Sequence, residues 1–274
     1  MAAKSSKPRL ASPKAPATST PPATPAWPGY GGVSQIVGTS PSGKVTIYAD
    51  PKTGAPGLQN AQDLLKDADR IMSALDAAFG AKGEAVSVII YAMGGHTDGA
   101  GADHGGCDFK RGGAIEVCAS FGDSPRVSAL FAAELSECYM GGHLCGASTG
   151  EALSRWFATL IGHNPSKDAA MAPPWAENGM KNFVDRTEPT DIDGLSIGCG
   201  TAFLSWLLSL GHPLGKIAPA MVALGDKGTL AQLFAKLGGG PAANAWPQFI
   251  AAAKGLKGGV VSDDPFGGAL RHQE

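Results

Sequence analysis

The sequence predicts an α+β fold, a small mixed sheet with long helices followed by an all-helical C-terminal subdomain. Three observations predict it. Short apolar runs of strand length flank one long segment of helical periodicity in the first half. Two further helical segments follow the last of those runs. From Gly200 onward the chain reads as helix after helix, punctuated by Gly and Pro.

Residues 1–32 form a Pro/Ala/Ser/Thr-rich tail carrying Lys4, Lys7, Arg9 and Lys14, with no acid before Asp50. The tail lacks an apolar h-region, so it does not read as a signal peptide as written, and its composition predicts disorder. Residues 33–162 are read as a mixed α/β subdomain. KVTIYAD (44–50) alternates and predicts a strand. In 58–80, Ala61, Leu64, Leu65, Ala68, Ile71, Met72, Leu75 and Phe79 recur at i, i+3, i+4, i+7, and Gly80 ends the helix. AVSVIIYAM (85–93) predicts a buried strand, 94–113 a glycine-rich loop, and AIEVCAS (114–120) a short edge strand. Ser124 as N-cap and Pro125 at the first helical position open a helix over 124–140. After the loop GGHLCGASTG comes a helix over 151–162, with Ser148 and Glu151 in capping-box spacing. Residues 163–257 are read as an irregular segment followed by the helical subdomain, and 258–274 as a frayed tail.

With 274 residues, 43% of them apolar, the chain can bury a sizeable core. A net charge of −2 supplies no field for nucleic acid or an anionic membrane, and neither is expected as a partner. No run approaches the roughly 18 apolar residues of a membrane span, and a soluble protein is expected. Five cysteines permit two bridges and a leftover thiol. The turn between Cys107 and Cys118 favours a local bridge, and Cys145 is within plausible chain reach of Cys138 or Cys199. Loop-borne cysteines predict a secreted or extracytoplasmic home.

The chemistry centres on Glu134. At about 100° per residue it falls on one stripe with Val127, Leu130, Phe131 and Cys138, where a leucine would be expected. A carboxylate facing a core must be paired, protonated or metal-bound. Glu137 lies three residues on, and Glu151 opens the next helix, close enough through the glycine loop to fold back alongside. These three are the candidate catalytic residues, and together they suit a divalent cation bound through oxygen. The solvated and ion-paired alternatives stay open, with Arg155 or Arg186 as the pairing cation.

This order of elements, with the segments Ala133-Glu134-Leu135-Ser136-Glu137 and Gly150-Glu151-Ala152-Leu153-Ser154-Arg155-Trp156, resembles the zincin-like scaffold of gluzincin metallopeptidases. Within that group it is most similar to the basic secretory protein peptidases. The resemblance spans roughly residues 44–255 and is motif-like only in those two segments. It implies a peptidase cleft with Glu134 in the place of the base and Glu151 in that of the third ligand. Both histidines of HExxH are replaced, by Ala133 and Glu137, so zinc is not expected as a cofactor.

Other residues border this centre. His104, in the glycine-rich loop with His96, Asp98, Asp103 and Asp108, is a candidate substrate or ion contact. His143, Arg155 and Trp175 are further candidate substrate contacts, and Asp185, Arg186, Glu188, Asp191 and Asp193 could build a far wall. Gly146-Ala147-Ser148-Thr149-Gly150 matches G-x-S-x-G, which needs a preceding strand to form a nucleophile elbow. The reading is a degenerate zincin-like protein acting as a binding or pseudo-peptidase domain, or through a carboxylate-lined cleft, on a peptide or polymer ligand. The alternatives are a hydrolase (serine type through Ser148, two-carboxylate type through Glu134) and a structural or assembly protein; the oligomeric state is left open.

Overall fold

The computed structural model describes residues 24–92, 101–118, 122–162 and 169–267. Most of the expected N-terminal tail, His96, Asp98 and the chain beyond 267 lie outside the described residues. Among the described residues five strands form one mixed sheet: β1 (Gln35–Thr39), β2 (Val45–Ala49), β3 (Val86–Ile90), β4 (Gly101–His104) and β5 (Ala114–Cys118), in the order β1-β2-β3-β5-β4. β2, β3 and β5 are parallel, and β1 and β4 pair antiparallel at the two edges.

The nine α-helices among the described residues are α1 (Gly54–Phe79), α2 (Phe109–Gly112), α3 (Ser124–Cys138), α4 (Ser148–Ile161), α5 (Ala172–Glu177), α6 (Gly194–Ser209), α7 (Leu214–Val222), α8 (Leu230–Lys236) and α9 (Ala245–Lys254). None is long and apolar enough to cross a membrane. In α1 the predicted stripe is buried at Leu64, Ala68, Ile71 and Leu75. Its C-cap Gly80 adopts φ 63°, a left-handed turn that glycine enters without strain.

The strand register explains the two faces of the sheet. Ile47, Val88, Ile115 and His104 are successive cross-strand partners, so they share one face. The first three are fully buried beneath the helices, and the row ends at the edge in a histidine. Tyr48, Ile89, Glu116 and Asp103 form the neighbouring row on the opposite face. Trp27 packs edge-on against Tyr48, and Tyr30 against Tyr91, so the chain before β1 crosses this back face.

Several sequence expectations are corrected. The supposed loop residues 101–104 are strand β4, which makes β5 internal rather than an edge; four residues of Gly-Ala-Asp-His carry no periodic signal, and pairing with β5 alone defines them. β1 was not foreseen, because its residues are mostly exposed and show no alternation. Asp123, not Ser124, caps α3 by accepting from Arg126 N, which leaves the Ser124 hydroxyl to donate to Asp63. No capping box forms at α4: Ser148 Oγ accepts from Glu188 N at 3.0 Å, and Glu151 turns to Arg155. α6 begins at Gly194, six residues before the irregular stretch was expected to end, with Asp193 as its side-chain cap.

Residues 258–267 are packed rather than frayed: Asp263 accepts from Met171 N and Ala172 N, and Asp264 from the Ser205 hydroxyl. The expected tail boundary at 32 also moves, since Gly29 and Tyr30 are hydrogen-bonded to Glu116. The mixed half and the helical half share one continuous core, which runs from Val45 and Leu64 to Phe203, Phe234 and Phe249. The disulfide is Cys107–Cys145, not a local Cys107–Cys118 bridge. Cys118, Cys138 and Cys199 remain buried thiols.

Candidate active-site cleft

Helices α3 and α4 form an antiparallel hairpin. Gly162, at the end of α4, lies against Ala129 near the start of α3, so closely that a Cβ at 162 would come within 2.7 Å of the Ala129 methyl. Val127, Phe131, Leu135 and Cys138 of α3 are buried. Arg126, Leu130, Ala133, Glu134 and Glu137 recur at helical spacing on another face and line a cleft of about 640 Å³. From α4, Glu151, Ser154, Arg155 and Ala158 line the same cleft, again one turn apart. Edge strand β4 supplies Gly101 to His104, and Met171, Asp191, Ile192 and Asp263 complete the opposite side. Glu134 therefore sits on a cleft-facing stripe with Leu130 rather than within the buried stripe of Val127 and Phe131.

The carboxyls are shielded but reach the cleft: the side chains of Glu134 and Glu137 are 17% and 16% exposed. Burial, with Glu137 and Glu151 as like-charged neighbours, holds the Glu134 carboxyl well above the ordinary range. Burial and Glu151 push Glu137 up to about 7. Glu151 is ion-paired with Arg155 at 2.6 Å, which settles between the two arginines offered by the sequence. Arg186 pairs instead with Glu188 at 2.8 Å and lies over the Phe183 ring.

His104 is the connection between sheet and helix. Its Nε2 lies 3.0 Å from Glu137 Oε2, and its Nδ1 3.9 Å from Glu134 Oε2. Burial lowers its pKa, which favours the neutral ring. Cys107 Sγ approaches Glu137 Oε2 at 3.6 Å, but a disulfide sulfur has no proton to donate, and this is a contact only.

Glu134, Glu137, Glu151, His104 and Arg155 are thus gathered around one cavity. The oxygen-only cation site is not assembled. Among the described residues, the acidic and imidazole groups whose donor atoms lie within 4.8 Å of one another are His104, Cys107 and Glu137, not the three glutamates. The disulfide removes Cys107 as a thiolate ligand. Glu151 is held aside by Arg155.

Two expected contacts fall elsewhere. Trp175 is fully buried, stacked on Phe249 at 5.6 Å, and donates Nε1–H to Lys181 O. Its apolar ring is worth more in the core than at a wet cleft. His143 is exposed on the loop before α4 and is not part of the cleft lining. Of the expected far wall, Asp191 lines the cleft, and Asp185, Arg186, Glu188 and Asp193 do not. Ser148 is 4% exposed and follows a turn rather than a strand, so the G-x-S-x-G match forms no nucleophile elbow.

Asp263 and Glu116 are among the buried carboxyls that the sequence did not single out. Asp263 lines the cleft from a segment expected to fray. Glu116, 1% exposed, accepts from Gly29 N, Tyr30 N and the Tyr91 hydroxyl on the back face of the sheet. An acid between Ile115 and Val117 in an apolar strand was the available signal, but its partners lie 25, 86 and 87 residues away. No protein-family model matches the chain, and no curated protein matches its sequence.

Proposed function

We propose that this is a zincin-like domain without the family's zinc site, whose cleft binds an extended peptide or similar polymer along strand β4. One observation carries the reading. β4 lines the cleft beside the Glu134–Glu137 carboxyls, and among the described residues no strand pairs with its outer edge. An open edge accepts an extended ligand through backbone hydrogen bonds, with side-chain pockets giving selectivity. The lining carries Asp103, Glu134, Glu137, Glu151, Asp191 and Asp263, while Arg155 is engaged by Glu151 and Arg126 by Asp123. This balance favours cationic side chains on the ligand. The Cys107–Cys145 bridge supports a home in an oxidising compartment.

The test is fluorescence polarisation with two labelled ten-residue peptides, one lysine-rich and one glutamate-rich. The lysine-rich peptide is expected to bind, more weakly after Glu137→Gln and more weakly at high salt. Equal binding of both peptides, or none, overturns the reading. Mass spectrometry of the same mixtures addresses a second reading, two-carboxyl hydrolysis. That reading draws support from a carboxyl whose proton affinity burial raises, Glu134, close to an ion-paired one, Glu151. Cleavage that disappears with Glu134→Gln would select it.

A further inference from the structure

We propose that His104 and Glu134 form the protein side of a divalent transition-metal site in the cleft, with Glu137 orienting the imidazole. The carrying observation is an orphaned nitrogen. The His104 side chain is 6% exposed, and its Nδ1 is buried with no hydrogen-bond partner among the described residues. A buried polar atom left in that state is costly and calls for a ligand.

The other ring nitrogen indicates which atom is available. Nε2 lies 3.0 Å from Glu137 Oε2. When Glu137 is ionised its carboxylate only accepts, so the tautomer that pairs with it carries the proton on Nε2 and leaves the lone pair on Nδ1. Histidines that bind metals are commonly held in this way, one nitrogen donating to a carboxylate and the other facing the ion. Here the bare nitrogen faces Glu134, whose Oε2 is 3.9 Å away, beyond hydrogen-bond reach. Ligand atoms about 2.0–2.2 Å from a tetrahedral zinc-like ion stand about 3.3 Å apart, so a closure of roughly half an ångström would seat one.

The donor set also selects the ion. One imidazole with carboxylate oxygen suits Co2+, Ni2+ or Zn2+ better than Ca2+ or Mg2+, which prefer oxygen alone. Asp103 and Asp263 on the cleft wall add negative charge that favours a dication. The imidazole would come from the sheet edge, not from the helix positions 133 and 137 where the resemblance looks for histidine. The remaining coordination positions open to the cleft, and the site stands independently of the polymer-ligand reading.

The full-length protein, stripped with a chelator and then dialysed free of it, is titrated with Co2+ and followed by visible d–d absorption. Saturation near one equivalent is expected, with loss of the saturable band in His104→Asn and in Glu134→Gln. Glu137→Gln should weaken binding about 10–100-fold, as removal of an orienting partner does. Paramagnetic broadening of the His104 ring resonances in the unmodified protein supplies a readout that does not depend on any variant folding. The proposal is overturned if the unmodified protein shows no saturable band or no such broadening. It is equally overturned if a folded His104→Asn variant binds Co2+ as tightly as the parent.

Discussion

Oε2 of Glu137 lies 3.0 Å from Nε2 of His104, tying the C-terminal end of helix α3 to the edge of the sheet. Both residues resist charge through burial, in opposite directions: the Glu137 carboxyl is pushed up to about 7, and the His104 imidazole is lowered. Their contributions to stability therefore oppose each other between mildly acidic and neutral pH.

That opposition makes the pH dependence of folding separable by mutation. Glu137, raised from 4.5 to about 7, contributes stability that is full below pH 4.5 and lost as the pH rises through 7. His104, lowered from 6.5, contributes stability present above pH 6.5 and lost as the pH falls through its folded value. Glu137→Gln should remove the first effect, on the order of 3 kcal/mol between pH 5 and 8. Urea unfolding at both pH values measures it, and identical pH slopes for parent and variant would refute the assignment.

Arg155 neutralises Glu151 in an otherwise acidic cleft. Arg155→Met should cost about 1–2 kcal/mol, more than an ordinary surface pair, because the stranded carboxylate faces Glu134 and Glu137. Combining it with Glu151→Gln should recover most of that loss. A double-mutant cycle by chemical denaturation checks this, and additive effects would mean that the two side chains do not interact.

Glu116 fastens the chain before β1 to the back of the sheet. Glu116→Ala leaves three donors without their acceptor and should cost about 2–4 kcal/mol. The more selective readout is hydrogen exchange: amides of Gly29 and Tyr30 should lose protection while those of α6 keep theirs. Unchanged protection at 29 and 30 would contradict the anchoring role.

The Cys107–Cys145 bridge spans 38 residues and joins the chain after β4 to the loop before α4, both beside the cleft. Loop-closure entropy makes it worth about 4 kcal/mol, an upper value that strain can reduce. Thiol titration of the unreduced, denatured protein should count three thiols, from Cys118, Cys138 and Cys199. A count of one would show a second bridge, and a count of five would show none.

Much of the fold was legible because periodicity is a local property. The α1 stripe from Ala61 to Phe79 and the apolar run of β3 each declare their element without reference to any distant residue. Glu134 was conspicuous for the same reason, an acid one turn from Leu130 and Phe131. Strand β4 was illegible, since Gly-Ala-Asp-His becomes a strand only by hydrogen bonding to β5. The capping box at Ser148 was a sound local expectation that lost to a distant partner at Glu188.

The sequence alone determined that this chain mixes short strands with helices, that one helix carries Glu134 and Glu137, and that its last quarter is helical, because side-chain spacing along one element needs no information from another. Tertiary structure decided that His104 meets Glu137, that Arg155 takes Glu151, that Asp263 joins the cleft and that Trp175 leaves it. Each of these depends on which elements become neighbours, which is set by the packing of the whole core. A glycine-rich or irregular stretch has no periodicity from which to announce its partner.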